Sequence, residues 1–353
     1  MASQAFSRIG NTGGCVLCDR PMTTGAPVPA FADIEAAARR IAPFAVLTPL
    51  LEHPELNERA GRRVFLKLET LQRTGSFKFR GACNRIALIP ESERKKGVIA
   101  FSSGNHAQGV AAAAALFGLA ATIVMPSDAP RAKVAGTKRY GATVVSYDRK
   151  TDDREAIAAK LQAETGATLI KPFDDPQVVA GQGTAGLEMA RQAAGQGVTL
   201  SAVLAPCSGG GLVTGISLAM ATASPGTKVF SVEAEGYEGM KRSFDANARV
   251  AAPANAGSIA DALMAPMPGA TPFALAQKYL AGGISVGDED MIRATSFAVQ
   301  RLKLVVEPSG AAALAALLSG RYSAGKDAVG VVLSGANCDP ETIADCCARF
   351  PAP

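Results

Sequence analysis

The chain of 353 residues is long enough for about two domains and for a buried core that needs no disulfide or metal staple. Hydrophobic residues are 48% and charged residues 19%, a balance that excludes global disorder. The net charge of +5 is mild and unclustered, and with no Trp and 5% aromatic residues the chain offers neither a basic face nor a stacking platform for nucleic acid.

Residues 1 to about 30 are rich in Gly, Thr and Pro without periodicity, which predicts a flexible tail. The tail holds Cys15 and Cys18, the only CxxC pair. A zinc site would need two further ligands, and the only two His are His53 and His106. Seven scattered Cys point to free thiols in a reducing compartment, so the expected localisation is cytoplasmic. The first ten residues have no hydrophobic signal region; their lack of acids, with Ser7 and Arg8, leaves an organelle transit peptide as the alternative. The longest apolar stretch, Val110 to Met125, is too short to cross a bilayer, so no membrane partner is expected.

Beyond the tail, strands and helices alternate. Strands are predicted at Val64 to Glu69, Gly97 to Ser102, Ala121 to Pro126, Ala142 to Asp148 and Ala167 to Phe173. Helices fall between them at Phe77 to Ile89, His106 to Gly118, Arg131 to Tyr140 and Asp153 to Thr165. Further strands are predicted at Leu200 to Pro206, Lys228 to Glu235 and Ala328 to Gly335. These are continuous runs of Val, Ile, Leu and Ala, the pattern of parallel strands covered on both faces. The fold class is therefore α/β, and the number of elements predicts two lobes, each a mostly parallel sheet flanked by helices.

In such sheets ligands sit where strands end and helices begin. Four loops at those positions hold unusual residues. Cys207-Ser208-Gly209-Gly210-Gly211-Leu212 presents bare backbone amides at a helix N-terminus, a phosphate cradle or simply a tight turn. It is neither a Walker loop nor a GxGxxG fingerprint. In Thr74 to Gly81, Lys78 lies in the first helical turn between Phe77 and Phe79. There the helix dipole and apolar surroundings favour the neutral, nucleophilic amine, although a snorkelling surface Lys would look the same. Phe101 to Gly109 places Ser102, Ser103, Gly104, Asn105 and His106 at another helix start, suited to a carboxylate or to capping alone. Leu333 to Asn337 places Ser334 at the end of the last strand, either as a turn residue or as a partner for a ring nitrogen.

SFKFRGA, SSGNHAQG, AGQGT, SGGGL and LSGAN, in that order and spacing, resemble the fold type II pyridoxal-phosphate enzymes, in their threonine/serine dehydratase and serine racemase branch. The resemblance covers about residues 31 to 350. Outside the 1–30 tail it implies a large cofactor-binding domain of residues 31–90 plus 175–353 and a small domain of residues 91–174. Pyridoxal 5'-phosphate would be carried as a Schiff base on Lys78, which would also move the substrate's Cα proton. Ser103 would be acid or base on the opposite face. Phe77, Asn105, Glu307 and Ser334 would surround the ring, and Ser208, Gly209, Gly210, Gly211 and Leu212 would hold the phosphate. Ser102, Ser103, Gly104, Asn105 and His106 would grip the substrate carboxylate.

The chain departs from the family pattern at three places. Ser208 replaces a fourth Gly of the phosphate loop. Ala262 replaces a Gly in a segment that, with Phe173, is expected to shape the substrate pocket. The family's optional metal site is matched at its first acid by Glu233, but Gly239 falls where the second acid belongs, so no metal is expected unless Glu235 or Glu238 substitutes. The implied activity is an L-threonine/L-serine dehydratase (ammonia-lyase), working as a homodimer on a small β-hydroxy amino acid. The alternatives are a dehydratase of 3-hydroxyaspartate or another β-hydroxy amino acid, and a serine or threonine racemase. A catalytically silent pyridoxal-phosphate-binding protein is the reading from a different class.

Overall fold

The computed structural model describes residues 27–253 and 257–351. Cys15 and Cys18 lie outside the described residues. The other five cysteines, Cys83, Cys207, Cys338, Cys346 and Cys347, are free thiols.

Ten strands build two sheets. The larger has six strands in the order β1 (Leu50–Glu52), β2 (Val64–Leu68), β10 (Val329–Leu333), β7 (Ala202–Pro206), β8 (Lys228–Ala234) and β9 (Gly282–Val286). All its pairings are parallel except β1 on β2. The smaller is wholly parallel, in the order β5 (Thr143–Tyr147), β4 (Ala121–Pro126), β3 (Val98–Phe101) and β6 (Thr168–Leu169). Strands β2, β3, β7 and β10 are buried along their whole length. That burial explains why each is a continuous apolar run rather than an alternating one.

The small sheet takes its strands from a single stretch of chain, and the large sheet takes its strands from both sides of that stretch. Three helices join the layers. The Lys78–Ala87 helix packs on the Asn105–Leu116 helix of the small layer and on the long Pro176–Gly195 helix. The AGQGT motif lies inside that long helix, where Gln182 Oε1 accepts the Gly81 amide at 3.1 Å.

Two elements differ from the sequence expectation. The strand expected over Ala167 to Phe173 is only Thr168–Leu169, because it pairs with β3 at two residues and then turns toward the cleft. Pro172 has no N–H for a ladder, and its carbonyl accepts Lys78 Nζ instead. Strand β9 has no clear sequence signal, since GGISV is short, half-exposed and carries two glycines.

Glu233, near the end of β8, serves as a helix cap. Its two carboxylate oxygens accept the Met240 and Lys241 amides at 2.8 and 2.7 Å. Among the described residues no group of three or more His, Cys, Asp or Glu is placed to hold a metal ion.

Candidate active site

The strand-to-helix loops of both sheets converge on one cleft. Its inner part is lined by Phe77, Lys78, Asn105, Ser208, Gly209, Gly210, Gly211, Leu212, Glu307 and Ser334. Its outer part is lined by Lys78, Ser102, Ser103, Asn105, His106 and several residues from elsewhere. Gly104 lies between them at the cap of the Asn105–Leu116 helix. Candidate residues that are far apart in the sequence are thus brought together.

The Lys78 side chain is half-buried with its amine turned inward, donating to the Pro172 carbonyl at 2.9 Å. Burial lowers its pKa from 10.5 to about 8, so a substantial fraction is neutral near physiological pH. The rate at which pyridoxal phosphate attaches to the apoprotein is therefore expected to rise about tenfold per pH unit up to about pH 8 and then level off. Stopped-flow absorbance from about pH 6 to about pH 10 would check this. A rise continuing unbroken past about pH 9.5 would mean an ordinary, solvated lysine.

The Gly-rich loop leads into the Gly211–Ala223 helix, whose N-terminus has no side-chain cap. Its first-turn amides lack intrahelical acceptors and face the cavity that Lys78 enters. A Cβ on Gly209 would lie 2.3 Å from the Phe173 ring, so a side chain there would fill the space the loop keeps open. A buried, partly neutral amine opposite an uncapped helix start fits an aldehyde-bearing phosphate ester. The Ser208 hydroxyl accepts the Ala265 amide at 3.1 Å, which fastens the 261–265 wall to the loop and leaves the Ser208 backbone in the cradle.

Asn105 is held on both sides. Its amide nitrogen donates to Glu307 Oε1 at 2.5 Å, and its oxygen accepts from Asn337 at 2.9 Å. Burial raises the Glu307 carboxyl above its ordinary range, and Lys133 beside it works in the opposite sense. Ser334 lines the inner cavity, while its backbone is fixed by bonds to Phe77 and Gly310.

His106 differs from the expectation that it grips a carboxylate. Its Nε2 is bonded to the Ile170 carbonyl at 2.9 Å, and burial, with Lys78 nearby, lowers its pKa to about 3. The ring is therefore neutral and donates to Ile170. Its buried Nδ1 has no partner and carries no proton to give. A carboxylate at this helix start would meet backbone amides and the Ser102 and Ser103 hydroxyls rather than the imidazole.

Four lining residues carry no sequence signal of their own. Arg149 and Arg154 reach the outer cleft from the segment after β5, where the run DRKTDDRE looks like a solvated turn. Pro172 falls within the strand expected from sequence. Lys133 sits in RAKVAGTKR, which reads as a basic surface helix, yet it is 1% exposed. Nothing in local pattern distinguishes these four, because each acquires its place only when the two layers meet.

The family model for pyridoxal-phosphate-dependent enzymes matches residues 41–335. An L-threo-3-hydroxyaspartate ammonia-lyase of Pseudomonas sp is 43% identical over 88% of this chain and 96% of its own length. A Saccharomyces cerevisiae protein of the same description is 42% identical over 88% of this chain and 94% of its own. The crystal structure of a T.th. threonine deaminase superposes with a TM-score of 0.83 at 43% identity, covering 88% of this chain and 99% of that one. With the Lys78 cleft and the two parallel sheets, these matches place the chain in the fold type II family of pyridoxal-phosphate-dependent enzymes, and its cofactor is pyridoxal 5'-phosphate.

Proposed function

We propose that the chain is an ammonia-lyase for L-threo-3-hydroxyaspartate, which it converts to a 2-oxo acid and ammonia. The observation that carries this reading is the pair Arg149 and Arg154 in the same cleft as Lys78 and the Ser102–His106 helix start. Arg149 is steadied by Asp128 at 2.7 Å. Arg154 lies over the Phe101 ring, and among the described residues no carboxylate pairs with it. Two guanidinium groups suit a substrate with a second carboxylate, and they would be poor company for the methyl group of threonine. The two hydroxyaspartate ammonia-lyases described above support the same choice. The threonine/serine reading from sequence thus gives way to its own alternative.

When bound, pyridoxal phosphate supplies the electron sink for charge developing at the substrate Cα. Lys78 would anchor it, and the amides of Ser208 to Leu212 would hold its phosphate. Phe77, Asn105, Glu307 and Ser334 would surround its ring. The neutral Lys78 Nζ would take the Cα proton. The backbone of Ser102 to His106 with the Ser102 and Ser103 hydroxyls would orient the α-carboxylate, and Arg149 and Arg154 the β-carboxylate. Ser103 is also the residue that a racemase activity would use.

A 2-oxo acid assay over L-threo-3-hydroxyaspartate, threonine and serine tests the proposal. The first is expected to have the highest kcat/KM. Arg154→Ala should lower kcat/KM for hydroxyaspartate by roughly 10- to 100-fold, the worth of one charge-assisted contact, and leave that for serine within about threefold. Equal losses for both substrates would count against a β-carboxylate site. A cofactor-loaded protein that neither deaminates nor racemises any β-hydroxy amino acid would be a binding protein instead.

A further inference from the structure

Lys133 belongs to the Arg131–Arg139 helix, which follows β4 and precedes β5 in the small layer. Its amine reaches across the cleft. It donates to both oxygens of Asp261 at 2.9 and 2.7 Å and lies 3.1 Å from Glu307 Oε2. Asp261 starts the short Asp261–Leu263 turn and Glu307 precedes the Pro308–Leu318 helix, both in chain that belongs with the large sheet. The side chain passes directly over Gly104, where a Cβ would sit 2.1 Å from Lys133 Cδ. Nothing in the proposed chemistry uses this buried lysine, although it lines the outer cleft.

Its contacts lead to the centre of the site. Glu307 accepts the Asn105 amide with the oxygen that Lys133 does not face. Asn105 continues to Asn337, and Asn337 to the Thr74 carbonyl at 2.7 Å in the loop before Lys78. Asp261 opens the wall that carries Ala262, whose amide is held by Ser309, and Ala265, whose amide is held by Ser208. One cation therefore joins the small layer, the Asn105 amide and the wall facing the substrate.

We propose that Lys133 is a positioning residue: its ion pairs with Asp261 and Glu307 close the small layer onto the 261–265 wall and hold Asn105 against the cofactor ring. Lys133 and Glu307 are almost fully buried and Asp261 is 28% exposed, so removing the one cation is costly because it strands charge rather than because the pairs are themselves strongly stabilising. Burial works against the lysine cation, but Glu307 and Asp261 override it and hold the ammonium above its ordinary range. Cys338 is a further titratable neighbour. Its thiol is pushed up to about 12 by burial and by Glu307, so it stays neutral. Removing Lys133 would leave the two carboxylates facing each other unpaired, and the first of them to take a proton would change the charge beside Asn105.

The test uses cofactor-loaded K133M, K133R and K133M/D261N, and rests on Lys78 being the cofactor's anchor. The readouts are kcat, KM and the pH profile of the visible band. Wild type is expected to show a band that changes little between about pH 6 and about pH 9. K133M and K133M/D261N should both shift that profile and lower kcat by at least about tenfold with a smaller change in KM, while K133R should recover most of kcat. K133M/D261N has one carboxyl fewer to strand, so it serves should K133M not fold. A kcat within about twofold of wild type and an unchanged band profile in either folded variant would overturn the inference, whatever the melting temperature does. If the wild-type chain released no 2-oxo acid yet its band still shifted in K133M, the substrate assignment would fall and the role of Lys133 would stand.

Discussion

Lys78→Ala is expected to reduce 2-oxo acid release by about 10⁴-fold and to eliminate the visible band of the cofactor-loaded protein. The size follows from two roles resting on one atom. The amine that anchors the cofactor would also take the Cα proton, so a single truncation removes both covalent attachment and base. The fold should survive. Among the described residues Lys78 Nζ has one hydrogen bond, to the Pro172 carbonyl, and deleting a desolvated amine relieves that cost. Far-ultraviolet circular dichroism and the melting temperature should therefore match wild type. Activity within about tenfold of wild type in a folded Lys78→Ala protein would refute the entire site assignment.

The second large effect concerns stability. Arg80, two residues beyond Lys78, is fully buried with all its partners in place. It pairs with Glu69 at 2.7 and 2.8 Å, with Glu188 at 2.7 and 2.8 Å, and with Thr184 at 3.1 Å. Lys67, also buried, joins Glu188 at 2.8 Å, so two cations and two carboxylates form a neutral set behind the Lys78 helix. Arg80→Ala is expected to cost about 3–5 kcal/mol, because it strands Glu69 in the interior rather than because the network is itself strongly stabilising. Denaturant melts at neutral pH would measure this, and a loss below about 1 kcal/mol would show that Glu69 finds water or another donor.

The same network predicts a pH dependence. Burial opposes ionisation of Glu69, yet Arg80 and Lys67 prevail and hold its pKa below the ordinary 4.5. Its contribution is therefore fully present above about pH 4.5 and is lost as pH falls through the lower folded value. In Arg80→Ala that acid-side loss should begin at higher pH.

Much of the fold could be read in advance because its strands are buried on both faces. Sequences such as VFLKL, VIAF, ATIVMP and VGVVL leave little alternative to a covered parallel sheet. The elements that escape such a reading are those with weak local signals: the edge strand β9, the three-residue β1, and the helices Pro176–Gly195 and Pro308–Leu318, whose Ala- and Gly-rich faces lack polar alternation because both lie in the core. The Gly-rich loop and Lys78 stand out as candidates for a different reason. Bare amides and a lysine between two Phe are chemically unusual wherever they occur.

By itself the sequence determined the layered α/β architecture and marked Lys78 and the Gly-rich loop as candidates, since each depends on residues close together in the chain. The tertiary structure alone decided which charges enter the cleft. Arg149, Arg154 and Lys133 look like ordinary surface cations in their own segments, and only the meeting of the two layers makes them, respectively, candidate readers of a second carboxylate and a buried bridge. It also engaged the His106 ring, by supplying the Ile170 carbonyl from a segment 64 positions further along. Side-chain charge is a property of the residue. Where that charge is desolvated and what it faces are properties of contacts between distant segments, and no local pattern encodes them.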